Sequence, residues 1–372
     1  MRFPNKYLRN ISPYKLASHA IWTVEPSKRE EILKLDWNEA TVAPSPLVKQ
    51  RILELFDQPD FFHLYPMTHN ERLLELLADY VGVPVDNIQY FASSDALHEY
   101  ICKVFISVGD PIMILGPSYD NFRLTCQANG ADVYFSEYKS NFTFDAEAFE
   151  NDIRSKEPAV VYICNPNNPT GNRHSVEYIE HLLNEFSDTL FLIDEAYYEF
   201  SGITAKDLVL KYDNILISRT MSKAFGLANF RVGYLIASAE NVQFVNRIRN
   251  PKNISTIAQV AAIAALEDKA YMLNYVAQVL EGKEYLVNEL NKLPKIQVCN
   301  GFGNFIMLKF ASREEKMALI KCLAEHKIFV RDTMQSPIVY NCFRITCGTK
   351  PQMEQVVNAI NAFYARQAIG HI

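Results

Sequence analysis

The chain has no run of apolar residues long enough to span a membrane, and Met1-Arg2-Phe3-Pro4-Asn5-Lys6 lacks the apolar core of a secretion signal. It has no Lys/Arg stripe, and 37 basic against 43 acidic side chains leave a net charge of −6. Neither nucleic acid nor a membrane surface is therefore expected as a partner. No G-x-G-x-x-G and no P-loop occur, which argues against a plain nucleotide-binding α/β protein. H-E-x-x-H and Cys/His clusters are missing too, so no metal site is expected. The seven cysteines (102, 126, 164, 299, 322, 342 and 347) are odd in number, form no C-x-x-C and sit among apolar neighbours. That pattern suggests buried thiols in a reducing cytoplasm rather than a disulfide framework.

What is present is globular. With 372 residues, 49% hydrophobic and 22% charged, the chain is long enough for two domains. Between about 108 and 236, short β-branched apolar runs alternate with amphipathic segments. Runs at 111–115, 160–164, 190–193, 215–217 and 232–236 are apolar at both alternating positions, as strands covered on both faces should be. The segment 176–186 places Ile179, Leu182, Leu183 and Phe186 on one helical stripe behind Ser175, a candidate cap. The expectation is α/β with a mostly parallel sheet, whose ligands gather beyond the strands' carboxyl ends. Farther on, 255–290 suggests one long helix. A turn and strand at 301–308, a helix at 313–326, strands at 328–331 and 343–346 and a helix from 351 suggest a smaller α+β unit. The first 35 or so residues show no sheet rhythm and are expected to pack on it.

One segment carries chemistry most directly. Ile215-Leu216-Ile217 runs into Ser218-Arg219-Thr220-Met221-Ser222-Lys223, setting a lysine just past an apolar strand on a hydroxyl-rich turn, with Arg231 nearby. Such a lysine suits condensation with an aldehyde beside a phosphate site, as pyridoxal 5'-phosphate chemistry requires. It would also move the proton between substrate and cofactor carbon. Thr220, Ser222 and Arg231 offer hydroxyls and a cation for the phosphate. Ser93-Ser94-Asp95-Ala96 opens a helix-like segment whose N–H groups would bind an anion, though an ordinary cap has the same sequence. In Asn165-Pro166-Asn167-Asn168-Pro169-Thr170-Gly171, Asn168 is either an amide donor to the cofactor's phenolate oxygen or a helix cap. Asp194 ends the buried run Leu190-Phe191-Leu192-Ile193, where an unpaired charge is costly. A protonated pyridine nitrogen would be its partner; a cap or a structural ion pair are the other readings. Tyr197 can join Asn168, and Tyr119 can stack on the ring or simply pack in the core.

In order, Asn168, Asp194, Tyr197, Lys223 and Arg231 resemble the cradle of fold-type I pyridoxal phosphate enzymes, the aspartate aminotransferase superfamily. A closer resemblance, over nearly the whole chain, is to histidinol-phosphate aminotransferases. Its motifs are Arg9-Asn10-Ile11-Ser12-Pro13-Tyr14, Asp36-Trp37-Asn38-Glu39, Leu64-Tyr65-Pro66, Val330-Arg331-Asp332 and Asn341-Cys342-Phe343-Arg344-Ile345-Thr346. The resemblance implies a large cofactor domain at 38–269, and a small domain made from 1–37 and 270–372. It implies catalytic roles for Lys223, Asp194 and Tyr197, and a phosphate site of Ser94, Asp95, Thr220, Ser222 and Arg231. Tyr65 would reach the neighbouring subunit's phosphate site, implying a homodimer. Tyr14, Arg331 and Arg344 would bind the substrate's anionic group with Asn38 beside it; bidentate arginine suits carboxylate and phosphate alike.

Departures from that pattern gather on the substrate side: Ser93-Ser94-Asp95-Ala96 for glycine-x-aspartate-glutamate, Leu64 for arginine, Met67 for an acid and Ala40-Thr41 for asparagine-proline. The implied activity is transamination between glutamate and a small phosphorylated ketone, aldehyde or amino alcohol, with histidinol phosphate only one candidate. A decarboxylase of a phosphorylated amino acid would use the same cradle and is the alternative.

Overall fold

The computed structural model describes residues 5–11, 20–334 and 336–369. After a short strand, Leu33–Leu35 (β1), seven strands form the main sheet: Ile88–Phe91 (β2), Pro111–Gly116 (β3), Asp132–Glu137 (β4), Val160–Cys164 (β5), Leu190–Asp194 (β6), Ile215–Thr220 (β7) and Gly233–Ala237 (β8). Their order is β2-β8-β7-β6-β5-β3-β4, and only β8 runs against its neighbours. β5 buries every residue, and β3 and β6 all but their first. Helices cover both faces, which is why these strands read as unbroken apolar runs. β4 is the exception. It lies at the sheet edge, mostly exposed, so it lacks the two-sided apolar signal and escapes a pattern-based reading.

The helix expected at 176–186 is Val176–Glu185. Ile179, Leu182 and Leu183 are its buried face, and the Ser175 hydroxyl accepts the Tyr178 N–H at 3.2 Å. Each such buried side chain stabilises by about 1.5–3 kcal/mol, and the cap by about 1 kcal/mol. The long helix expected at 255–290 is two helices, Thr256–Glu267 and Lys269–Leu290. Asp268 breaks them with non-helical φ −113° and ψ 47°, and its carboxylate accepts the Ser45 hydroxyl at 2.5 Å. No helix among the described residues is long and apolar enough to cross a membrane.

A second sheet of Gln297–Asn300 (β9), Phe305–Lys309 (β10), Ile328–Asp332 (β11) and Cys342–Thr346 (β12) has the order β1-β11-β12-β10-β9. β1 pairs parallel with β11 and the rest are antiparallel. A three-residue strand is too short to show a period, which is why β1 leaves no sheet rhythm in the sequence. The stretch before it also touches the main-sheet side. Asn5 Nδ2 donates to the Ala128 carbonyl at 3.2 Å, and the Tyr7 ring fills the space a Cβ on Gly130 would need. The carboxyl ends of β2, β3, β5, β6 and β7, together with the start of β8, meet β11 and β12 across a cleft. The candidate site lies there.

Candidate active site

A cavity of about 820 Å³ opens in this cleft. It brings together Ser94, Asp95, Tyr119, Asn168, Asp194, Tyr197, Thr220, Ser222, Lys223, Arg231, Arg331 and Arg344, residues far apart in the chain. Those from Ser94 to Lys223 come from a main-sheet strand end or the turn that follows, so the parallel topology gathers them, whereas Arg231 precedes β8 and Arg331 and Arg344 come from β11 and β12 of the second sheet.

At one end stands an anion cradle. Ser93, at φ 89°, caps the helix Ser94–Phe105 by accepting the Ala96 N–H at 3.2 Å. The remaining free N–H groups of that first turn favour negative charge. Thr220 donates its hydroxyl to Ser222 Oγ at 2.9 Å. Arg231, itself left-handed at φ 55°, donates to Ser222 Oγ at 3.5 Å and to Asp95 Oδ2 at 3.1 Å. The other Asp95 oxygen accepts the Tyr119 hydroxyl at 3.0 Å and the Asn121 amide at 3.1 Å. A carboxylate repels phosphate, so Asp95 belongs here as the anchor that aims Arg231 and Tyr119. Gly233, which opens β8, makes the cradle possible: a Cβ there would lie 2.3 Å from the Ser94 backbone nitrogen.

In the middle, Asp194 is only 3% exposed. Its oxygens accept the Tyr162 hydroxyl at 2.7 Å and the Ala196 N–H at 3.2 Å. Both donors are neutral, and no cation among the described residues stands within ion-pair distance of it. A buried carboxylate without a positive partner is expensive, and a protonated pyridine nitrogen is the partner this donor set lacks. The residues present therefore fit pyridoxal 5'-phosphate. The Tyr197 hydroxyl accepts the amides of Asn38 at 3.0 Å and Asn168 at 3.2 Å. With both lone pairs used, its proton is left to donate, and burial pushes the phenol up so that it keeps that proton.

Lys223 Nζ donates to the Trp37 carbonyl at 2.9 Å. Burial, then the Arg344 charge, lowers its pKa from 10.5 to about 8. A lysine tuned this way carries a sizeable uncharged fraction near neutrality and can act as nucleophile or base.

At the far end, Arg331 and Arg344 are cross-strand partners on β11 and β12. Like charges directly opposite each other repel, so an anion between them relieves the pair. Arg344 is held by Asn168 Oδ1 at 2.5 Å and the Asp36 carbonyl at 2.6 Å. It thereby ties the second sheet to the turn after β5. Lys34, which pairs with Asp36 at 3.0 Å and with Glu39, also lines this end beside Trp22 and Trp37.

Asn38, Tyr65 and Tyr14 do not line this cavity or lie outside the described residues, and Tyr65 is expected to serve a neighbouring subunit's site. Asn38 is fully buried at φ 54°, bonded to Tyr197 and Thr346, and does not line the cavity. Tyr65 is 78% exposed, away from the cavity and under the Lys252 ammonium at 4.4 Å from the ring centre. Tyr14 lies outside the described residues. Tyr162 has no role in the sequence reading, and Trp37 and Thr346 enter it only as members of quoted motifs. Tyr162 left a trace, as the one polar side chain inside the strand preceding Asn165-Pro166, whereas Trp37 acts through its backbone and leaves none. Among the described residues no group of three His, Cys, Asp or Glu side chains is placed to hold a metal.

Comparison with known proteins gives a consistent picture. A family model, aminotransferase class I and II, matches residues 30–360. The chain is 37% identical to a dihydroxyacetone phosphate transaminase of Campylobacter jejuni, over 99% of both chains. It is 33% identical to a histidinol-phosphate aminotransferase of Ruminiclostridium cellulolyticum, over 89% of this chain and 92% of that one. The crystal structure of histidinol-phosphate aminotransferase from Sinorhizobium meliloti in complex with pyridoxal-5'-phosphate superimposes with a TM-score of 0.86 at 23% identity, covering 98% of each chain.

Proposed function

The chain belongs to the class I and II aminotransferases, and from that premise we propose that it moves an amino group between glutamate and a small phosphorylated ketone or aldehyde. The observation that carries the substrate class is the Arg331–Arg344 pair facing the cavity beside Lys34. Two guanidinium groups side by side can hold a carboxylate in one half-reaction and a phosphate in the other; Lys34 is already paired with Asp36 and Glu39. The Campylobacter jejuni relative acts on dihydroxyacetone phosphate, a ketone of this kind. Transamination is preferred to decarboxylation because both named relatives above 30% identity are transaminases.

Pyridoxal 5'-phosphate, the cofactor of this family, supplies an aldehyde that condenses with amines and a ring that draws electrons from the adjoining carbon. The chain's residues do the rest. Lys223 Nζ would hold the cofactor and, when not bonded to it, would take the proton from the substrate Cα and deliver it to the cofactor carbon. The Asp194 carboxylate would pair with the ring nitrogen, and Tyr197 with Asn168 would donate to the phenolate oxygen. Arg231, Thr220, Ser222 and the helix start at Ser94 would bind the phosphate, while Tyr119 would pack on the ring. Arg344 and Arg331 orient the substrate's anions. Asn38 acts through Tyr197, whose hydroxyl it holds, rather than by touching substrate.

Tyr65 is read as completing the phosphate site of a second copy, so the working form is a homodimer. Its exposure, and that of Phe62 at 73% beside it, supports this. Two domains follow the two sheets: the seven-stranded one within 38–269, the other built from 270–372 and β1. Cytoplasmic residence is the last part of the reading, carried by the composition and the cysteine pattern.

The test is a coupled assay of the cofactor-loaded protein with glutamate and a panel of phosphorylated ketones and aldehydes. Formation of 2-oxoglutarate that depends on a phosphorylated acceptor is the expected result. Turnover equally fast with unphosphorylated analogues, or carbon dioxide release from a phospho-amino acid, would defeat this assignment.

A further inference from the structure

Asp194 is held from behind. On the neighbouring strand β5, the Tyr162 hydroxyl donates to Asp194 Oδ2 at 2.7 Å. Tyr162 is fully buried and does not line the cavity, so it touches neither substrate nor cofactor. Its ring is clamped, stacked on Phe122 at 4.8 Å and edge-on to His98 at 5.9 Å. His98 is itself fixed by Ser218 Oγ, 2.9 Å from Nε2 on strand β7. A phenylalanine would fill the same space without the cost of burying a hydroxyl. The hydroxyl's short bond is to the Asp194 carboxylate.

Resting on the transaminase reading above, we propose that Tyr162 is a positioning residue for the cofactor-facing carboxylate. Its O–H fixes Oδ2 and draws charge from it, while the Ala196 N–H fixes Oδ1. Asp194 then stays an anion opposite the ring nitrogen instead of taking that nitrogen's proton. A carboxylate that accepts donors is a weaker base, so each donor shifts the shared proton toward the ring.

The experiment compares the wild-type holoenzyme with Tyr162→Phe, which keeps the stacked ring and removes only the oxygen. With cofactor isotopically labelled at the ring nitrogen, the magnetic resonance signal should move toward the unprotonated form. The maximal rate of the glutamate half-reaction should fall roughly tenfold, as for loss of one charge-assisted hydrogen bond, with the KM for glutamate unchanged. Tyr138→Phe is the control. It removes a buried hydroxyl bonded to His174 at 3.0 Å, away from the cavity, and should lower stability without moving the ring-nitrogen signal. If Tyr162→Phe does not retain cofactor, 3-fluorotyrosine at position 162 decides. That stronger donor should move the signal the opposite way. A ring-nitrogen signal indifferent to the available replacement overturns the proposal. Loss of the Lys223–cofactor bond in wild type would instead sink the reading it rests on.

Discussion

Gly233 and Ser94 approach so closely that a methyl group on Gly233 would stand 2.3 Å from the Ser94 nitrogen and 2.5 Å from the Ser93 carbonyl carbon. Both neighbours are backbone at the start of the helix Ser94–Phe105, so nothing flexible can give way. Gly233→Ala should push that helix start out of place. The expected cost is about 1–3 kcal/mol of stability, together with weaker cofactor binding. Thermal melts and titration of the apo-protein with pyridoxal 5'-phosphate check both; unchanged affinity would mean that the helix start is not the phosphate site.

A second prediction concerns charge buried behind the site. Arg219 pairs with Glu195 at 2.9 Å, donates to Thr204 Oγ1 at 2.6 Å and lies 3.5 Å over the Tyr198 ring, with both charged side chains essentially inaccessible. Breaking a buried pair on one side strands the other charge. Glu195→Gln or Arg219→Met should each cost about 3–5 kcal/mol. Removing both should cost less than the two single losses added together, measurable as a double-mutant cycle in denaturant unfolding.

Lys223 gives a pH dependence of definite sign. Its value is lowered from 10.5 to about 8, so Nζ is an ammonium below about 8 and an amine above. The rate at which apo-enzyme condenses with cofactor should therefore rise as pH rises through about 8 and then level off. An unperturbed lysine would rise near 10.5. Burying the charged form also destabilises the fold, a cost in full force below about 8 that fades as pH climbs toward 10.5. Arg344→Gln removes a positive neighbour, so the kinetic rise should move to higher pH. A stopped-flow pH series on both proteins checks this.

These features differ in how visible they are in the sequence. Parallel strands such as β5 and β6 announce themselves because both faces are buried, and the turns after them carry Asn168, Asp194 and Lys223 in plain order. The edge strand β4 and the three residues of β1 are hidden, since one is exposed and the other too short for periodicity. The break at Asp268 is invisible locally because the Ser45 contact that accompanies it comes from 223 residues away. Tyr162 lay in a strand that was read correctly. Its partner, Asp194, becomes known only once β5 and β6 pair with Cys164 opposite Asp194.

Exposed Tyr65 leads to a mixing test. If it serves the neighbouring subunit, Tyr65→Ala and Lys223→Ala should both be nearly inactive as pure proteins. Unfolding and refolding them together should restore activity. One hybrid site would then combine an intact Lys223 with an intact Tyr65 from the other chain. Mixtures no more active than the parents would remove Tyr65 from the partner's site.

The most direct test of the whole account is chemical. Cofactor-loaded enzyme is reduced with borohydride, digested and analysed by mass spectrometry, with and without prior incubation with glutamate. The account predicts the cofactor mass on the peptide containing Lys223, and its disappearance after glutamate, because the transferred amino group releases the lysine. Cofactor fixed to a different lysine, or a Lys223 label that glutamate leaves untouched, would contradict it.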